Sequence, residues 1–203
     1  MTFLELCQRL RQEVGVAGTG PLSVAGQSGE YARLVSWIIT SWQQLDTERR
    51  YRFDWSQGTI ALNATDTEYS LPADFDVWAD DTLRFGNDRI EVVPWSELES
   101  GADRFARVAI APDLVLHLNA SPKANDALTF EYWRTPQMLV NDADVPRLPE
   151  RYHMAIVYRA MLQYAMYENA PEVAQQAQMN DQRIMQQIVR SELPSVASAG
   201  PLA

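Results

Sequence analysis

The apolar residues of this chain change their spacing twice. Up to about residue 50 they recur every three or four positions. From about 53 to 140 they fall in short alternating runs broken by turn residues, and from about 146 the helical spacing returns. A helical period does not fit a strand, nor the reverse, so the chain is limited to helices at both ends with a β segment between them. The pattern predicts an α+β fold: a four-helix bundle formed by N- and C-terminal helices, with an inserted antiparallel β-sandwich or barrel. The expected divisions are residues 1–50, 51–145, 146–193 and a flexible tail, 194–203. At 203 residues, roughly 70% of the unfolded chain's surface can be buried on folding.

Thr2 and Glu5 form a capping-box pattern, and Phe3, Cys7, Leu10 and Val14 follow at helical spacing until Gly15 ends the run. The stretch "GVAGTGPLSVAGQSG" reads as a flexible loop, with Ser28 placed to cap a second helix over about 29–50. There Tyr31, Leu34, Val35, Ile38, Trp42 and Leu45 make one stripe, which Trp37 and Ile39 widen. Arg49, Arg50 and Arg52 crowd near its C-terminus, where cations complement the helix dipole. After a proline-rich linker, "RLPERYHMAIVYRAMLQYAMYENAPE" (147–172) opens on Pro149 and is apolar on nearly every face; Pro171 breaks it and starts a last helix, 171–192. Two helices so broadly apolar are expected to find cover in sister copies, with Trp37, Trp42, Tyr158, Met161 and Tyr164 as inter-subunit contacts.

The middle segment predicts six or seven strands, with hairpins about Gly86-Asn87-Asp88 and Pro112-Asp113. Trp55, Trp78, Trp95 and Trp133 all fall in it, and one reading makes it a carbohydrate- or peptide-binding module.

Candidates for catalysis are few. His117 and His153 lie in different parts of the chain, with no metal-ligand spacing, no phosphate-binding glycine motif and no GxSxG elbow. Cys7, the single cysteine, reads as a small buried filler. The acidic pairs Asp74/Asp76, Asp80/Asp81, Glu97/Glu99 and Asp142/Asp144 offer a hydrolase reading, but among 27 acids such pairs arise freely and read as solvated loops. No enzyme, cofactor or metal is expected. The net charge of −10 argues against gripping nucleic acid by its phosphates, while sixteen arginines against one lysine suit bidentate pairs with carboxylates. Without a signal-like apolar core or a long apolar run, the expected place of synthesis is a reducing cytoplasm, with no membrane contact.

The phrases "FLELCQRLRQEVG", "ERRYRFDW", "TEYSLPADFDVW", "LTFEYWRTPQML" and "DADVPRLPERYHMAIVYRAMLQYAM" together resemble the head-to-tail adaptor (connector, or head-completion) proteins of tailed bacteriophages, over nearly the whole chain. The resemblance implies a non-enzymatic virion protein, assembled in the host cytoplasm. Its partners would be eleven further copies in a dodecameric ring, the portal protein, and a tail or nozzle protein, with double-stranded DNA passing through the lumen without specific binding. It also implies portal docking by the C-terminal segment, here Arg190, Leu193, Pro194, Val196, Pro201 and Leu202.

Overall fold

The computed structural model describes residues 1–79, 81–86, 88–98, 107–119, 122 and 126–193. Among them are four α-helices and two β-sheets, a mixed α+β architecture. The chain divides into two units: Met1–Phe53 together with the chain from Pro136 onward, and Asp54–Thr135.

The helical unit holds α1 (Phe3–Glu13), α2 (Gly29–Glu48), α3 (Met154–Glu168) and α4 (Pro171–Glu192). Helix α1 starts at the capping box, whose Thr2 Oγ1 accepts from Glu5 N–H at 3.2 Å while Glu5 Oε2 accepts from Thr2 N–H at 2.8 Å. Helices α2 and α3 run in opposite directions, because Arg33 stacks on Tyr167, Trp37 meets Tyr164, Ser41 accepts from Gln163 and Glu48 accepts from Arg159. A left-handed Asn169 (φ 53°) ends α3, and Pro171 opens α4 two residues later. The core draws on all four helices through Leu6, Leu10, Leu34, Ile38, Met161 and Ile188. Each buried side chain of this size stabilises by roughly 1.5–3 kcal/mol.

The segment between Pro136 and Pro149, which the sequence presents as a mere linker, is bonded to two helices. Asp46 Oδ2 on α2 accepts from Gln137 N–H at 2.7 Å, and the Trp42 indole N–H donates to Gln137 O at 2.9 Å. Phe3 N–H and Leu4 N–H at the start of α1 donate to Asp144 O and Asp142 O, at 2.7 and 3.2 Å. These are first-turn amides that no helical carbonyl can reach. The glycine-rich loop is also held, contrary to the expectation of flexibility. Arg11 donates to Ala17 O, Ser23 and Val24 donate to Asp142 Oδ1, and Gln8 donates to Pro21 O. Gly20 is required here, with φ +88° and space for a Cβ only 3.1 Å from Gln8 Cα.

In the β unit, β1 (Trp55–Ala61), β2 (Glu68–Ser70), β3 (Phe75–Trp78), β4 (Arg84–Phe85), β5 (Asp88–Arg89), β6 (Glu91–Val92), β7 (Arg107–Ile110), β8 (Val115–Leu118) and β9 (Ala127–Arg134) form the two sheets. One has the order β1-β9-β4-β5, with β3 also on β9; the other is β2-β8-β7-β6. Strand β9 alternates Leu128, Phe130 and Tyr132 inward with Thr129 and Glu131 on the other face, and it pairs with three strands. Side chains of both sheets, among them Phe130, Val108 and Leu116, share one apolar core. Gly58 faces Phe130 across the β1–β9 pair, where a Cβ would come within 2.4 Å of the ring. Both predicted hairpins exist, as β4–β5 and β7–β8. The barrel alternative falls, since both sheets are open among the described residues, and the β6–β7 pairing is parallel, not antiparallel.

Candidate functional site

The surfaces that matter to an interaction protein are the parts of each element left over once the core is satisfied. Trp42 and Met161, expected at an inter-subunit contact, lie in the chain's own core. Both have 0% exposure inside the chain's own helical core and offer nothing to a second copy. Val35, Trp37 and Ile39 on α2 pack partly buried against that same core. Exposed apolar surface on α3 is concentrated at its end, in Met166 (84% exposed) and Tyr167 (53%).

Trp37 and Tyr164 are brought together edge to face at 5.9 Å, and Trp37 also touches Tyr167 at 5.8 Å, under the Arg33 guanidinium. Tyr158 lies apart from them, in a groove between α3 and α4 lined also by Met154, Ile184, Arg151 and Arg183. All three predicted aromatics are half-buried.

Arg190 is exposed on α4, and Leu193 packs partly buried against the helical core as the residue after the helix. Glu192 accepts from Arg151 Nη2 at 3.1 Å, and the Ser191 and Tyr152 hydroxyls share a hydrogen bond of 2.8 Å. The chain is therefore fastened where it leaves α4. Pro194, Val196, Pro201 and Leu202, named with these two as docking residues, lie outside the described residues.

Several of the candidate catalytic groups are engaged in bonds within the fold. His153 is 1% exposed; Nε2–H donates to Leu148 O and Nδ1 accepts from the Met1 ammonium, both at 2.8 Å. Burial, with the nearby ammonium, holds its pKa below the usual histidine value. Burial pushes the Cys7 thiol up to about 12, so no thiolate is available for nucleophilic attack. Asp144 Oδ2 accepts from Val140 N–H and Asn141 N–H, each at 2.7 Å, which holds its carboxyl below the ordinary range, the opposite of what a general acid needs. Asp142 is tied to the glycine-rich loop. Asp74 accepts from the Tyr132 hydroxyl at 2.8 Å, while Asp80 and Glu99 lie outside the described residues. Arg159 lies between Glu48 Oε2 (2.7 Å) and Asp181 Oδ1 (3.3 Å); burial pushes the Asp181 carboxyl up against the pull of that guanidinium. Among the described residues no three His, Cys, Asp or Glu side chains converge as metal ligands, and no helix is long and apolar enough to cross a membrane.

The four tryptophans of the β unit do not gather into one groove. Trp55 stacks on Trp133 at 6.3 Å, Trp78 packs into the core on Phe75 and Phe130, and Trp95 lies against His117 at 4.5 Å.

Comparison with known families decides among the remaining readings. The sequence matches the SU10 adaptor protein family over residues 1–202. The chain belongs to that family. It is a family of phage head-to-tail adaptors, so the protein has a structural adaptor role and is a virion component. A search of curated proteins returned no match. The residues that sequence reasoning missed are anchors of the helical unit: Asp46 and Asp142, which bind backbone amides of other segments, and Asp144, which closes a local turn by accepting from Val140 N–H and Asn141 N–H. Only the Asn141–Asp144 turn carried a readable signal, the Asn/Asp-rich phrase "NDAD".

Proposed function

We propose that twelve copies of this adaptor form a ring below the portal vertex, joining the filled head to the tail and leaving a passage for DNA. The observation that carries this reading is the family match across residues 1–202. The helical unit is assigned to the ring, with the half-buried Trp37, Tyr158 and Tyr164 near its contacts. The β unit is assigned to the tail or nozzle protein and to neighbouring subunits. Portal docking falls to Arg190 and Leu193 at the end of α4 and to Pro194, Val196, Pro201 and Leu202 beyond it. A fastened helix end supports that role, because a docking segment that starts from a fixed point loses less freedom on binding. The lumen carries DNA without specific contacts: a net charge of −10 per subunit, repeated around a ring, repels phosphate over a screening length of about 10 Å at 0.1 M salt.

Mass photometry of the chain with and without portal tests the proposal. The expected result is a small species alone and a portal-bound ring on mixing, lost when residues 194–203 are deleted. A chain that ignores the portal at micromolar concentration refutes it. The carbohydrate- or peptide-module reading draws no support from the scattered tryptophans.

A further inference from the structure

The arginines after α2 do not sit where the helix dipole accounts for them. Helix α2 ends at Glu48 with no basic residue in its last turn, and Arg49 is already extended (φ −154°, ψ 158°). Tyr51 turns inward with no exposed surface, and Arg49, Arg50 and Arg52 are all exposed. A short 3-10 turn, Arg52–Asp54, follows at once, so Arg50 and Arg52 stand exposed on either side of the buried Tyr51. The acids of that corner are occupied elsewhere: Glu48 by Arg159, Asp181 by Arg159 and Asp46 by Gln137 N–H. Arg49 reaches Glu48 only at 4.0 Å, and no ion pair engages Arg50 or Arg52 among the described residues.

The opposite end of the same helix pair carries the complement. Because α2 and α3 are antiparallel, the α3–α4 corner lies by the start of α2, about 30 Å from its last residue at 1.5 Å per residue. That corner exposes Met166 and Tyr167 beside Glu168 and Glu172, and neither glutamate is in an ion pair among the described residues. One end of the pair thus carries three exposed arginines, and the other carries two exposed glutamates beside Met166 and Tyr167, with Arg33 stacked on the Tyr167 ring.

We propose that these two patches are the two halves of the contact between neighbouring copies: Arg49, Arg50 and Arg52 of one subunit seat on Glu168 and Glu172 of the next, with Met166 and Tyr167 covered beneath. The inference rests on the adaptor reading and adds to it the residues that join the ring. Two different patches on one subunit make a heterologous contact, the kind that closes rings. Copies carrying −10 each repel one another, so their joint must pair cations with acids. Arginine forks match carboxylates in two-point geometry. A second copy fits better than nucleic acid, since a phosphate backbone would leave Met166 and Tyr167 in water.

Charge exchange in the full chain tests this. Arg50→Glu with Arg52→Glu, or Glu168→Arg with Glu172→Arg, should each raise the concentration needed to complete the ring on the portal by roughly tenfold or more. All four changes in one chain should recover most of the lost assembly, because each exchanged residue again faces the opposite charge, with Arg49 unchanged in every variant. Every position is exposed, so folding should be intact by circular dichroism. The inference is overturned if the double variants assemble like the parent, or if the fourfold variant assembles no better than the doubles. It is equally overturned if the arginine variant loses affinity for a short DNA duplex while its ring forms normally. A parent chain that leaves the portal bare is a different failure, that of the adaptor reading. The same exchange is then read from self-association of the concentrated free chain by sedimentation, where Arg50→Cys with Glu172→Cys should also give an oxidised ladder of multimers, Cys7 being buried.

Discussion

Truncating Trp42 separates a subunit's own core from a contact between subunits. The indole has no exposed surface, lies 6.2 Å from the Phe53 ring and donates to Gln137 O. A side chain of this kind buries about 150–250 Å², worth about 4–6 kcal/mol at 25 cal/mol per Å². Core truncations of Trp to Ala cost about 3–5 kcal/mol in practice. The orphaned Gln137 carbonyl falls within the same range of effects, since water can reach part of the enlarged site. About 4 kcal/mol is therefore expected for Trp42→Ala. With a urea slope of about 2 kcal/mol per molar, the helical transition followed at 222 nm should move down by about 2 M. Trp42→Phe keeps most of the ring, loses the N–H and should cost about 1–3 kcal/mol. Both shifts should be independent of protein concentration, because they arise within one chain. A midpoint change below about 0.5 M, or a loss that disappears on dilution, would refute the assignment of Trp42 to the subunit's own core.

Two further perturbations probe other parts of the molecule. Gly58→Ala places a methyl group against the Phe130 ring and should destabilise the β unit by about 1–3 kcal/mol. Hydrogen exchange along β9 should report it, with Phe130→Leu relieving the effect; unchanged protection would show that the strand pair has room to spare. His153 is held neutral with its pKa below the ordinary 6.5, so its contribution to stability is complete above that value and is lost as pH falls through the folded-state pKa. Urea midpoints should therefore decline on acidification below about pH 6.5, less steeply in His153→Gln, and equal slopes in the two proteins would remove the histidine from the account.

The helices were legible because their signals are local. The capping box at Thr2, the break at Pro171 and the apolar stripe of α2 each lie within a few residues of what they specify. Ser28 was legible as a boundary but not as a bond: it stands at the N-cap with extended φ and ψ while its hydroxyl makes no capping contact. What escaped was set at long range. The anchors Asp46 and Asp142 bind amides 91 and 118 residues away, and nothing near them in sequence announces those partners. The parallel β6–β7 pairing has the same origin, since each strand is only a few residues long and its partner is chosen by the shared core. What covers the helices is hard to read for a related reason. Apolar residues on every side of α2 and α3 required cover, but composition does not say whether the cover comes from another molecule or from the proline-rich segment and α4. Trp37 and Tyr164 meet within the chain, and the exposed arginines after α2 looked sufficiently explained by a helix reaching about residue 50, whereas α2 stops two residues short of that, at Glu48.

The β unit enters and leaves through adjacent strands, with Trp55 opposite Trp133 at the base of the β1–β9 pair. Tension applied through these two ends would load the ladder like a zipper, one rung at a time, and not in shear along its length. An element attached this way is expected to yield at lower force than one loaded in shear, and its boundaries, Asp54 and Thr135, are where a short bridge would replace it. Lineages that must fit different tails could exchange the whole cassette while the helical frame, and whatever it grips, stays as it is.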